Sequence, residues 1–213
     1  MTADYRTVIV ETPEDAGLLP HLTPEVRGPL LDLDRSAGVS ARVRRALGVL
    51  KSFASAVRVG YAGLEVSLDF EPEAGVADSG DLENEVAGLF VAVAEAARER
   101  EAAIALLIDE LQYISELELR AFTMAMHRMV QEQLPFVLVG AGLPTLPGLA
   151  GRARSYAERL FDFPTTGALF REEARRAIEG PVTGAGVVIE RPALDEIFRE
   201  TQGYPYFLQE WAQ

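Results

Sequence analysis

The feature that most constrains the fold is the run Ala105-Leu106-Leu107-Ile108-Asp109-Glu110, in which four apolar residues lead into two adjacent carboxylates. An unbroken apolar run of this length, bounded by polar sequence, reads as a central strand buried on both faces of a mostly parallel sheet. The two acids then lie at its carboxyl end, and in open α/β sheets ligands bind in the crevice outside the carboxyl ends of the strands. A strand that simply ends in solvated acids has the same local pattern, so the surrounding chain has to distinguish the two.

That chain is 213 residues long and 48% hydrophobic, enough to close a full core as one large domain or a domain with a small appendage. It has no cysteine, which removes disulfides, thiolate metal sites and cysteine nucleophiles. His21 and His127 are the only histidines and lie far apart in sequence, with no spacing that supports a zinc site or a Ser-His-Asp triad. A net charge of −13 leaves no overall basic footprint for nucleic acid, so direct nucleic-acid binding is not expected. The longest apolar run falls well short of the roughly 20 residues of a membrane span, and the N-terminus lacks the basic-then-apolar order of a signal peptide. A cytoplasmic protein with no membrane association is the expectation.

Taken in order, Tyr5 to Glu11 is a β-branched run stopped by Thr12-Pro13 and predicts a short buried strand. Pro20, Pro24 and Pro29 predict a short helix and loops over 18–33. From Ser40 to Phe53, Val43, Leu47, Leu50 and Ala54 recur at helical spacing, with Arg42, Arg44, Arg45 and Lys51 around the remaining surface. Those cations suit either phosphate or an acidic partner, or an ion-paired solvated face. Val57-Arg58-Val59 and Leu64 to Phe70 alternate with period two around Gly60 and Gly63, predicting a β-hairpin insertion over about 57–70. Asp78-Ser79-Gly80-Asp81 caps a long helix to about Arg100, and Ser115 with Glu118 forms a capping box for another to Gln133. Phe136 to Gly140 is a second buried strand, followed by the tight turn Ala141-Gly142-Leu143-Pro144 at the edge that carries Asp109 and Glu110. Leu160 to Phe163 is a third candidate strand. Beyond Pro164 the spacing predicts helices over 171–179, ending at Gly180-Pro181, over 192–202, and from Pro205 onward.

The strand carrying Asp109-Glu110, the strand and turn from Phe136 to Pro144, Tyr156 to Phe163 and the terminal Gly203-Tyr204-Pro205-Tyr206-Phe207-Leu208-Gln209 together resemble the bacterial AAA+ ATPases related to origin-recognition and STAND proteins. The resemblance spans about residues 5 to 213, and its most specific part is the terminal motif. It implies a parallel-sheet P-loop NTPase core over 1–166, with the hairpin as an insertion, and the start of a helical lid over 167–213. It also implies ATP and magnesium as cofactors and oligomerisation, with an unidentified protein partner as a further expectation. Asp109 then matches the magnesium-side acid of the Walker B motif and Glu110 the general base. Gly140 and Gly142 fall at the sensor position, Tyr204 and Pro205 at the nucleotide-facing lid, and Arg159 at the finger that reaches a neighbouring subunit's nucleotide. For Arg159 an ion pair with Glu158 or Asp162 is the alternative.

Two departures from the family pattern matter. No Gly-x-x-x-x-Gly-Lys-Ser/Thr loop occurs anywhere in the chain, and the single lysine, Lys51, sits mid-helix without the glycines. The family's first strand, P-loop and first helix should precede Tyr5, and their absence predicts a chain that does not hydrolyse ATP by itself. The sensor position, usually polar, is here Gly140-Ala141-Gly142, which leaves only backbone groups for phosphate. The expectation is therefore the core of an ATP-driven switch, the alternative being a non-catalytic interaction or regulatory module on the same fold. A missing first strand further predicts a slot between Phe136–Gly140 and Leu160–Phe163, filled by a second copy through exchange at the strand edges.

Overall fold

The computed structural model describes residues 4–33, 40–60, 72, 80–153 and 157–211. It divides into two compact units, residues 1–163 and 164–213. The first is an α/β layer built on three parallel strands, β1 (Asp4–Glu11), β2 (Ala102–Asp109) and β3 (Phe136–Gly140), in the order β1-β2-β3. Register aligns Glu11 with Asp109 and Ile108 with Gly140, so the strand ends form one carboxyl edge. Between β1 and β2 the chain passes through α1 (Leu18–Asp32), α2 (Ala41–Gly60) and α3 (Leu82–Glu99). α4 (Glu116–Gln131) connects β2 to β3, and α5 (Leu146–Ala153) and α6 (Ala157–Leu160) follow.

Alternation along the strands assigns the sheet faces. Val8, Val10, Ala102, Ile104, Leu106 and Ile108 point to one side and are buried in the main core with the apolar stripes of α1 to α4. Phe90 of α3 joins helix to sheet there, its ring edge-on to Phe122 at 5.4 Å and stacked on Phe136 at 4.7 Å. Residues of opposite parity, Tyr5 and Ile9 on β1 and Val137 and Val139 on β3, are exposed, and Ala103, Ala105 and Leu107 on β2 are half-buried, so the strands are buried on one face and not, as expected, on both.

Helix starts follow the sequence signals. The Asp81 carboxylate accepts the Glu83 and Asn84 amides at 3.1 and 3.4 Å. Ser115 Oγ accepts the Glu118 amide while Glu118 accepts the Ser115 amide, completing the capping box. Around α2, Arg42 and Arg45 face Glu99 and Glu95 of α3 at 3.6 and 3.5 Å, which makes that basic surface an ion-paired one.

Four further expectations need correction. Residues 18–32 form one continuous helix, because Leu18, Leu19, Leu22, Val26 and Leu30 all enter the core. That burial outweighs the amide hydrogen bonds lost at Pro24 and Pro29. Val57-Arg58-Val59 is no strand: α2 runs to Gly60 and Val57 extends the buried Leu50, Phe53 and Ala54 stripe. The rest of the anticipated hairpin, 61–70, lies outside the described residues. Leu160 to Phe163 is no strand either. Leu160 closes α6, the Phe161 amide bonds the Ala157 carbonyl at 3.0 Å, and Leu160, Phe161 and Phe163 pack as side chains on the core. No described strand pairs with β3 on its outer side, so the extended backbone there has no ladder to join.

The fourth correction concerns the second unit, which is helical: α7 (Arg171–Gly184), α8 (Arg191–Thr201) and α9 (Pro205–Trp211) around Ala174, Ile178, Leu194, Ile197 and Leu208. α7 continues through Gly180-Pro181 for another turn, since Ile178 and Val182 both pack in this small core. Gly203, at φ +77°, closes α8, and its carbonyl accepts the Leu169 amide at 2.8 Å. A Cβ at Gly203 would collide with the Leu169 carbonyl, so only glycine fits this crossing. Among the described residues, no helix is long and apolar enough to cross a membrane.

Candidate functional site

The carboxyl edge of the sheet gathers four of the residues singled out by sequence: Asp109, Glu110, Gly140 and Gly142. Backbone bonds lock this edge together. The Thr12 amide bonds the Asp109 carbonyl at 3.0 Å, the Ala141 amide the Ile108 carbonyl at 2.8 Å, and the Leu111 amide the Ala141 carbonyl at 2.9 Å. Asp109 is exposed, and one of its oxygens accepts the Glu110 amide at 2.9 Å. Its other oxygen has no hydrogen-bond partner among the described residues.

Glu110 has φ 53° and ψ 36°, a left-handed conformation that costs an L-residue about 1–2 kcal/mol. Three other described non-glycine residues have positive φ, namely Glu101, Gln133 and Gln202. Each of those lies at or just past a helix C-cap, where a left-handed residue is a standard terminator. Glu110 instead directly follows a strand. The kink turns the chain sharply into the 3₁₀ turn Leu111–Tyr113 and brings Glu110 beside Asp109 at the edge. Backbone strain concentrated at one residue of the sheet's carboxyl edge marks Glu110 as a constrained position. Glu110→Gly is expected to be more stable than Glu110→Ala by about 1 kcal/mol, because both remove the carboxylate and only glycine relieves the backbone. Urea melts of the two variants check this, and equal midpoints would remove the strain.

Gln112 holds the acid in place, a role the sequence did not signal. Its Nε2 donates to the Glu110 carboxylate, and its Oε1 accepts the Leu143 amide at 3.1 Å, so one side chain ties the strained acid to the turn after β3. The glycines of that turn serve this closeness. A Cβ at Gly142 would lie 2.7 Å from Gln112 Oε1 and 2.9 Å from Leu146 Cδ1, and one at Gly140 would collide with the Leu111 side chain. With the Ala141 and Leu143 amides already bonded within the protein, few backbone donors of the turn remain for phosphate.

Glu11 escaped the sequence reading, and Glu118, read there as a capping-box acid, does more than cap its helix. Glu11 ends β1 as Asp109 ends β2, and parallel register sets them side by side on the same sheet face. Only strand pairing brings them together, although the placement of Glu11 just before Thr12-Pro13 was the available hint. Glu118 is 1% exposed and accepts the Leu19 amide at 3.1 Å as well as Ser115 Oγ at 2.7 Å, so the α4 cap also fixes the start of α1.

The remaining candidates lie elsewhere. Arg159 is exposed on α6 and pairs with no acid among the described residues, Asp162 included. Tyr204 and Pro205 belong to the second unit, where Pro205 opens α9 and the Tyr204 ring lies 5.6 Å from that of Phe207.

Magnesium takes one or two carboxylates together with substrate phosphates and waters, and the free Asp109 oxygen fits that requirement. Among the described residues no three histidine or acidic side chains form an all-protein metal cage. Compared with protein-family models, curated proteins and solved structures, the chain matches none of them.

Proposed function

We propose that this chain is the acid-bearing part of an ATP-driven switch of the P-loop, AAA+-like type, its phosphate-cradling strand, loop and helix being supplied from outside these 213 residues. The observation that carries the reading is the pair Asp109-Glu110, held at the carboxyl edge of the central parallel strand with Glu110 in a strained left-handed conformation. Asp109 would lend its free oxygen to magnesium, which neutralises phosphate charge when bound. Glu110 would accept the proton of the attacking water, with Gln112 fixing its carboxylate. Gly140 and Gly142 allow the turn after β3 to approach Gln112 and Leu111. Arg159, exposed and without a described acid partner, would act on the nucleotide of a neighbouring copy in a cytoplasmic homo-oligomer joined through the open outer edge of β3.

A second reading, a non-catalytic interaction module, draws on the Gln112 bond, which ties the Glu110 carboxylate to the turn after β3 as a structural tether. One experiment separates the two. A hybrid is made with a strand–P-loop–helix unit joined ahead of Met1, and magnesium-dependent ATP hydrolysis is followed. The hybrid is expected to turn over ATP, the 213-residue chain alone is not, and Asp109→Asn in the hybrid should weaken the magnesium dependence at least about tenfold. A hybrid that binds ATP without hydrolysing it would favour the interaction module.

A further inference from the structure

We propose that the cleft between α7 and α8 of the second unit binds a small organic oxyanion, a phosphate or carboxylate head joined to a short apolar stem. The cleft encloses about 170 Å³, and Arg171, Arg175 and Arg191 rise around a floor that is largely carbon, from Ile178, Leu194 and Phe198. Arg171 and Arg175 stand four residues apart and so share one face of α7, while Arg191 is the first residue of α8.

The three guanidinium groups are engaged to different degrees. Arg171 is a fixed wall: its Nη1 lies 2.6 Å from Asp195 Oδ1, and its guanidinium lies over the Phe198 ring, 4.9 Å from the centroid. Arg175 Nε is enclosed and makes no hydrogen bond, the Glu172 and Glu179 carboxylates standing off at 3.4 and 3.5 Å. Arg191 is exposed and takes part in no ion pair or hydrogen bond among the described residues. The two acids that line the cleft, Glu172 and Asp195, each face one of the first two arginines, so the positive charge left over is that of Arg191. The start of α8 adds to it, because Glu190 at the N-cap makes no side-chain cap bond and no acid lies in the first turn.

A free guanidinium beside one whose Nε lacks an acceptor selects a head with two or more oxygens, because the arginine fork matches the geometry of carboxylate and phosphate. The carbon floor selects the stem, since a bare inorganic ion would leave Ile178, Leu194 and Phe198 without a partner in the cleft. The net charge of −13 opposes anions at long range, but at about 0.15 M salt that field is screened within about 8 Å, and the groups lining the cleft decide. The site belongs to the second unit alone and is separate from the carboxyl edge of the sheet. The test therefore uses the 213-residue chain without nucleotide or magnesium, and its outcome does not depend on that of the hybrid.

The probes are phenyl phosphate, benzoate, and benzyl alcohol as the uncharged control, titrated at constant ionic strength while amide resonances are followed. Phenyl phosphate or benzoate should give saturable shifts confined to residues 171–178 and 191–198, and the tighter of the two identifies the head as phosphate or carboxylate. Benzyl alcohol should give none. Arg191→Ala, at an exposed position, should weaken binding at least about tenfold with unchanged circular dichroism, the loss of a charged hydrogen-bonding partner. Arg191→Lys keeps the charge without the fork and should fall between the two, while Arg176→Ala, outside the cleft, should bind as the parent does. Shifts from benzyl alcohol equal to those from the anions, no saturable shift from either anion, or unchanged binding by Arg191→Ala would overturn the proposal.

Discussion

Glu110→Gln in the hybrid carrying a joined P-loop unit is expected to lower ATP turnover by about 10²–10⁴-fold, the usual contribution of a positioned general base. Glutamine keeps the size and the hydrogen-bonding capacity of the side chain but cannot accept the proton of the attacking water. Gln112 can still bond its amide oxygen, so the turn and the left-handed backbone should persist, and ATP affinity should change little. Turnover and binding therefore separate: kcat falls while the dissociation constant measured by calorimetry holds. Turnover equal to that of the unsubstituted hybrid would remove Glu110 from the chemistry, and parallel losses of binding and turnover would assign it to the architecture of the edge.

Phe90→Ala is expected to destabilise the first unit by about 3–5 kcal/mol, the range for a fully buried aromatic truncated in a packed core. Phe90 is 1% exposed and touches Phe122 of α4 edge-on and Phe136 of β3 face-on, so its removal opens the junction between two helices and an outer strand. Aromatic pairs of this geometry add about 0.5–1.5 kcal/mol beyond area burial. Against a typical total stability of about 5–15 kcal/mol, the loss is a large share, and β3 should loosen first because this edge strand loses the stacking of Phe90 on Phe136. Denaturant melts with amide exchange at Val137 and Val139 measure both effects. A loss under 1 kcal/mol would mean the junction repacks.

What could be read from sequence divides along physical lines. β2 and β3 announce themselves as unbroken apolar runs, and α3 and α4 through their capping acids, because each signal is local and nothing competes with it. Val57-Arg58-Val59 carried two periods at once, alternating like a strand while Val57 also continued a helical stripe from Leu50, and packing against the core chose the helix. Leu160 to Phe163 looked like a strand by composition, but a strand needs a partner and none is described beside it. Prolines 24 and 29 suggested breaks that the buried leucines of α1 overrode. Asp109 and Glu110 were legible because a strand ending fixes where acids go. Glu11 and Gln112 were not, since their roles depend on register and on a turn that only the folded chain brings close.

The central claim is that Asp109 and Glu110 serve a metal-bound nucleotide, and the most direct measurement is where manganese–ATP sits in the hybrid. Paramagnetic broadening of amide resonances should fall on residues 109–112 and 140–143, and Asp109→Asn should abolish it there while the spectrum of the fold stays intact. Broadening centred on another part of the molecule, or unchanged broadening at the sheet edge after Asp109→Asn, would contradict it.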